Sequence, residues 1–262
     1  MVFLHSGNPG HARNLPWGPY LITIMAIPVI LLLFVIGVLG YGFCIYNGYL
    51  LLNNPSKKQY PVSGIDLSHY QGEVDWPVLA QQNIMFAYIK ATEGSSHTDA
   101  RFAYNWEESG KTDLAAGAYH FFSFDSSGDT QADHFIHTVG NRFGMLPPAV
   151  DVEYYADKKS NPPDPESVRE QLQIMLDRLE EYYHKPPVLY STEDVWETYL
   201  KGHFDEYPLW IRNVVTKPDS QADWCFWQYT NRGRLNGYAG EETFIDLNVF
   251  YGDIESWNRW RH

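Results

Sequence analysis

The chain has 262 residues, with 19 Lys and Arg against 32 Asp and Glu and a formal charge of −13. That length allows one domain of ordinary to large size plus an appendage. The acid excess argues against nucleic acid as a partner, since phosphate binding needs a basic surface.

The appendage comes first. Residues 1–60 hold no Asp or Glu, and Arg13, Lys57 and Lys58 are their only Lys or Arg. Between Tyr20 and Cys44 runs "YLITIMAIPVILLLFVIGVLGYGFC", without a charge. About 25 apolar residues are enough to cross a bilayer as a helix. Pro28 is tolerated there, because neighbouring groups satisfy the freed carbonyl. Trp17, Tyr20, Tyr41 and Tyr46 stand where interfacial aromatics belong. A cleaved signal peptide is the rival reading, but the run is too long and no small-residue cleavage site follows. Cys44 makes no lipoprotein signal, because Tyr41 and Phe43 are bulky. The expected organisation is a short tail (1–19), a transmembrane anchor (20–46), a polar linker (47–60) and a barrel domain (61–262). Lys and Arg flank the apolar run almost equally, so charge does not set its orientation.

Residues 61–262 keep 16 Lys and Arg against 32 acids, a formal −16. Cys225 is the only cysteine there, so no disulfide can form within the domain. Its core must hold it, and about 200 residues can build one. Its Trp and Tyr suit sugar stacking and a large core equally.

Strands and helices then alternate. "VSGIDLS" (62–68) predicts a strand, and "DWPVLAQQN" (75–83) a helix capped by Asp75 with Pro77 in its first turn. "MFAYIKAT" (85–92) is a strand, "DARFAYNWEESG" (99–110) a helix, "LAAGAYHFFS" (114–123) a strand and "DTQADHFIHTVG" (129–140) a helix. "LPPAVDVEY" (146–154) is the next strand. A helix follows Asp164 and Pro165, with Val168, Leu172, Met175, Leu176, Leu179, Tyr182 and Tyr183 in one apolar stripe. "PPVLYS" (186–191) is a strand and "EDVWETYL" (193–200) a short helix. "YPLWIRN" (207–213), "DWCFWQYT" (223–230) and "ETFIDLNVF" (242–250) are strands with little helix between them.

About five βα units followed by strands imply parallel strands with helices outside. Polar strand ends and apolar middles favour a closed barrel, whose active site sits at the C-terminal ends of its strands. Those ends carry Asp66, Ser68, His69 and Tyr70, then Lys90, Thr92 and Glu93, then Tyr119 and His120, then Asp151 and Glu153, then Tyr190 and Ser191. Trp210, Arg212, Trp227, Gln228, Tyr229 and Asp246 come from later strands. Asp151 and Glu153, at i and i+2, share one strand face roughly 6–7 Å apart. Partly buried at that distance, one of them should have its pKa raised. That leaves one acid and one carboxylate near neutral pH, the pairing glycoside hydrolysis uses. In an edge strand both would simply face water.

There is no dinucleotide G-x-G-x-x-G and no P-loop. Serine hydrolase and cysteine nucleophile contexts are missing too. His134 and His137, at i and i+3, have no third ligand and suit a solvated helix face. The expectation is no cofactor and no metal.

Six segments occur in order: "GIDLSHYQGEVDW" (64–76), "YIKATEG" (88–94), "GAYHFF" (117–122), "DVE" (151–153), "FWQYT" (226–230) and "IDLNVF" (245–250). Together they resemble the Chalaropsis-type lysozymes, glycoside hydrolase family 25, over essentially all of 61–252. The resemblance implies an irregular TIM-like α/β fold, a (β/α)5(β)3 barrel, preceded here by the transmembrane helix. It implies cleavage of the β-1,4 bond from N-acetylmuramic acid to N-acetylglucosamine in the glycan strands of peptidoglycan. It assigns Glu153 as general acid, Asp151 as the second acid of the D-x-E pair, and Asp66 and Asp246 as two further acids of the cleft. Asp151 is expected to stay ionised. It acts either as direct nucleophile or by orienting the substrate's 2-acetamido group, and the i, i+2 spacing resembles enzymes of the second kind.

Tyr119, Tyr190, Trp210, Gln228, Tyr229 and Lys90 are the candidate substrate-binding residues, with barrel packing the alternative for each ring. His120 is expected to be a hydrogen-bonding residue beside the cleft. A peptidoglycan substrate would place the domain outside the cytoplasmic membrane, single-pass, with Arg13 inside. The −16 charge should slow encounter with an anionic wall. Two non-enzymatic alternatives use the same fold: a wall-binding module, and a tethered interaction protein with an acidic recruiting surface. No sequence pattern sets an oligomeric state.

Overall fold

A computed structural model of the chain describes residues 18–219 and 223–261. It divides into two units, Met1–Tyr46 and Asn47–His262. The first contains helix α1 (Gly18–Tyr46), with Pro28 inside it. Its stretch Ala26–Tyr46 has a mean hydropathy of 2.5, and none of it is buried in the protein. A helix of that length spans about 30 Å, the thickness of a bilayer core. The N-terminal tail with Arg13 and Trp17, and the side chain of Tyr20, lie outside the described residues.

The second unit runs β1 (Ser63–Leu67), α2 (Trp76–Ala80), β2 (Phe86–Glu93), β3 (His97–Thr98), α3 (Phe102–Ser109), β4 (Ala115–Phe121) and α4 (Gly128–Val139). It continues with β5 (Ala149–Val152), α5 (Pro165–Tyr183), β6 (Val188–Thr192) and α6 (Glu193–Val195), which passes into a π-helical turn, Trp196–Leu200. Then come β7 (Leu209–Arg212), β8 (Trp224–Gly233), β9 (Ile245–Phe250) and α7 (Ile254–Trp260).

The strands close in the order β1-β2-β4-β5-β6-β7-β8-β9 and back to β1. Pairing is parallel from β1 to β8, and β9 is antiparallel to both its neighbours. This is the expected barrel of five βα units and three closing strands. β3, absent from the sequence reading, forms a short hairpin on β2.

Strand alternation separates two apolar layers. Outside the strands, Ile65, Ile89, Val150 and Val152 belong to the same buried apolar layer as the stripe Leu172, Met175, Leu176 and Leu179 of α5. Inside lie Phe86, Tyr88, Val188, Trp210, Phe226 and Phe250. Two strand glycines give these rings their space. A Cβ on Gly64 would come 2.4 Å from the Phe86 ring, and one on Gly117 would come 2.4 Å from the Tyr88 ring.

Trp257 and Trp260 of α7 pack on Phe226 and Phe250 and fill the barrel's N-terminal end. α7 was not anticipated, although Asp253 caps it by accepting from the Ser256 N–H. Asp75 and Asp164 cap α2 and α5, as read from the sequence.

Residues 47–60 contain no helix or strand. They are nevertheless tied to the barrel. Tyr60 packs on Trp224 and Trp227, Asn53 is buried, and Arg234 Nε donates to the Asn47 carbonyl at 2.8 Å.

Candidate active site

With its N-terminal end filled, the barrel opens at the C-terminal ends of its strands. A cavity of ≈ 100 Å³ there is lined by Asp66, Tyr119, Asp151, Glu153, Tyr190, Trp210, Gln228 and Asp246. All four predicted acids and four of the six predicted binding residues are therefore brought together. The strand period explains the set. Trp210 continues the inner face of β7, Gln228 lies two residues beyond Phe226, and Tyr190 lies two beyond Val188. β5 ends at Val152, so Glu153 is the first residue past the strand rather than within it. It lines the cavity with Asp151 all the same.

A polar network fixes one side of the cavity. Asp66 Oδ2 accepts from Gln228 Nε2 at 2.9 Å and from Asn248 Nδ2 at 2.8 Å. Trp210 Nε1 donates to Asn248 Oδ1 at 2.8 Å, and Tyr190 Oη donates to Gln228 Oε1 at 3.1 Å. Asn248 was missed as a site residue, although it stands two residues after Asp246 in the quoted "IDLNVF". Asp151 Oδ1 is buried and meets no donor among the described residues.

Burial raises the pKa of all four acids, because a low-dielectric site disfavours the charged form. Asp66 is raised least drastically alongside Glu153, since the Asn248 and Gln228 amides stabilise its charge. Asp246 stands well above the carboxylate range through burial and the Asp66 charge, and it hydrogen-bonds Asp66. Asp246 therefore carries the proton of that pair.

Asp151 is also pushed well above its ordinary value, by burial and then by the Glu153 charge. Glu153 is raised by burial but tempered by Arg212. In the free pocket Asp151 is thus raised further than Glu153. The difference comes from the depth of Asp151 and the Glu153 charge beside it.

Two predicted binding residues lie off the cavity lining. Tyr229 follows the inward Gln228, so strand alternation sends its ring to the outer layer, where it packs on Trp227 at 6.0 Å. Lys90 is on the inner face two residues after Tyr88, but its Nζ pairs with Glu93 Oε2 at 2.7 Å and lies 4.9 Å over the Phe121 ring. Its charge still lowers Asp151 and Glu153.

His120 faces α4. Its Nε2 donates to Gln131 Oε1 at 3.0 Å, and Nδ1 lies 2.7 Å from Thr92 Oγ1. Burial lowers its pKa to about 4, so it is neutral. His134 bonds Thr98 Oγ1 across to β3.

The family model described as Glycosyl hydrolases family 25 matches residues 65–238. The chain belongs to glycosyl hydrolase family 25. It is 46% identical to a solved family 25 glycosyl hydrolase from Bacillus anthracis, with a TM-score of 0.76 over 81% of this chain and 98% of that one. It is 32% identical to lysozyme M1 of Streptomyces globisporus, covering 73% of this chain and 68% of that protein. It is 30% identical to the N,O-diacetylmuramidase of Chalaropsis sp, covering 72% and 95%. As a family 25 member the chain is a glycoside hydrolase of the lysozyme type.

Proposed function

We propose that the chain is a membrane-anchored muramidase, hydrolysing the β-1,4 bond between N-acetylmuramic acid and N-acetylglucosamine in peptidoglycan. The observation that carries this reading is the D-x-E pair, buried Asp151 and half-buried Glu153, at the barrel mouth with Asp66 and Asp246. Glu153, held partly protonated by burial, donates its proton to the leaving glycosidic oxygen. Asp151 receives the N–H of the substrate's 2-acetamido group on its donorless Oδ1. A hydrogen bond to the charged form lowers its pKa. Substrate binding therefore draws the proton off Asp151 and leaves Glu153 as the acid. The acetamido carbonyl oxygen then attacks the anomeric carbon as the glycosidic bond breaks. Water opens the cyclic intermediate with Glu153 now acting as base, and configuration is retained.

Tyr119, Tyr190 and Trp210 offer the sugar ring and hydroxyl contacts, and Lys90 adds positive charge at the rim. α1 is the bilayer anchor, with the barrel on the extracytoplasmic side where peptidoglycan lies.

Progressive fluorination of the substrate's acetamido group tests the mechanism. If the acetamido oxygen attacks, the rate falls steeply with each fluorine. A flat series would make Asp151 itself the nucleophile.

A further inference from the structure

We infer that Asn53, in the segment between α1 and the barrel, is a positioning residue for the cleft: it fixes the turn Asn213–Thr216 and through it Arg212. This rests on reading the acid pocket as the muramidase site. Asn53 is buried, and its Nδ2 lies 3.1 Å from the Asn213 carbonyl, 3.3 Å from that of Thr216 and 3.2 Å from that of Tyr229. One amide thus ties the end of β7 to β8. The turn closes around it. Asn213 Oδ1 accepts from the N–H groups of Val215 and Thr216, and Trp227 Nε1 donates to the Asn213 carbonyl at 2.8 Å. The Asn213 N–H donates to the Gln228 carbonyl.

Both strand residues next to this cluster lie on inner strand faces, each two residues beyond an inward ring, Phe226 or Trp210. Gln228 bonds Asp66. Arg212 shares the inner face of β7 with Trp210, in register with Thr192 and Gln228. Its charge lowers the pKa of Asp66, Asp151, Glu153 and Asp246 alike. The acids it acts on come from β1 (Asp66), β5 and just beyond (Asp151, Glu153) and β9 (Asp246); it also acts on Tyr190 of β6, while Lys90 of β2 and Asp194 of the helix after β6 bear on Glu153 as well. Among carboxylates already raised by burial, a shift of this guanidinium alters every protonation step. Asn53 lies outside the span the family model matches, which begins at residue 65.

The test is a double-mutant cycle in the full chain in detergent. Asn53→Ala, Arg212→Gln and the double variant are assayed for kcat/KM on solubilised peptidoglycan across pH, with thermal unfolding and near-UV dichroism as folding controls. Each single variant is expected to lose about tenfold, in keeping with small misplacements near reacting groups. The acidic limb of the profile should move to higher pH in both. In the Arg212→Gln background, Asn53→Ala should cost nothing further. Asn53→Ser, which keeps one donor, should fall between wild type and alanine and serves if the alanine variant unfolds. Equal losses in both backgrounds would overturn the inference, as would wild-type kinetics in folded Asn53→Ala or in Arg212→Gln. A wild-type chain without hydrolysis would remove the muramidase reading itself, and this inference with it.

Discussion

Asp246 shows what the pocket costs the fold. Its raised pKa means the folded chain holds a proton the unfolded chain has released. That contribution to stability is greatest below the ordinary carboxylate pKa and declines as pH rises through the folded value. Asp246→Asn keeps a donor toward Asp66 and removes the ionisation. It is expected to stabilise the chain by about 1–2 kcal/mol at pH 7 while abolishing or crippling hydrolysis, the usual trade at functional sites. Thermal unfolding at pH 4 and pH 7 checks this. A gain that is equal at both, or a loss at pH 7, would contradict it. Asp151 and Glu153 were legible in the sequence from the D-x-E spacing at a strand end, and Asp66 and Asp246 from strand-end position and the resemblance to family 25 lysozymes. How far each is raised was not, because depth at Asp151 is set by the surrounding strands. Tyr229 was misplaced for a local reason: it neighbours Gln228, and only one of two successive strand residues can face inward.

At the scale of elements, His120 links β4 to α4 in its neutral form. With a folded pKa of about 4 against an ordinary 6.5, the unfolded state binds the proton first as pH falls. Stability is fully present above 6.5 and is lost toward pH 4, by about 3 kcal/mol over that window. His120→Gln should flatten the unfolding free energy between those pH values, as measured by denaturant titration. An unchanged slope would show that other groups cause it. Inside the barrel, Gly117→Ala would drive a Cβ into the Tyr88 ring. Overpacking of this kind costs about 1–3 kcal/mol, and chemical denaturation should show it. A neutral result would mean the ring can move aside. The βα rhythm was readable because hydrophobic period and the Asp75 and Asp164 caps agree along the chain. β3 was not, since two exposed residues carry no periodicity. α7 was obscured by the strand reading that ended at Phe250, despite Trp257 and Trp260 at helical spacing.

Across the whole molecule, an apolar helix precedes a strongly acidic barrel. The formal −16 of residues 61–262 implies repulsion from an anionic wall, screened as salt rises. Hydrolysis of such walls should therefore speed up between low and physiological ionic strength, and slow or stay level if local cations dominate encounter. The apolar run was legible by length alone. The seating of residues 47–60 was not, because Asn53 finds its partners 160 to 176 residues away. Nothing local in "LLNNPSKK" distinguishes it from a free linker.

The most direct measurement is the identity of the sugar left at the new reducing end. The full chain and its Glu153→Gln variant would be incubated with purified peptidoglycan, the products reduced with borohydride and separated by mass. Reduced muramic acid ends from the wild type, lowered about a hundred- to ten-thousand-fold in the variant, are the expected result for a muramidase using Glu153 as its acid. Reduced glucosamine ends would contradict the bond specificity, and wall binding by both proteins with no ends released would make the barrel a binding module.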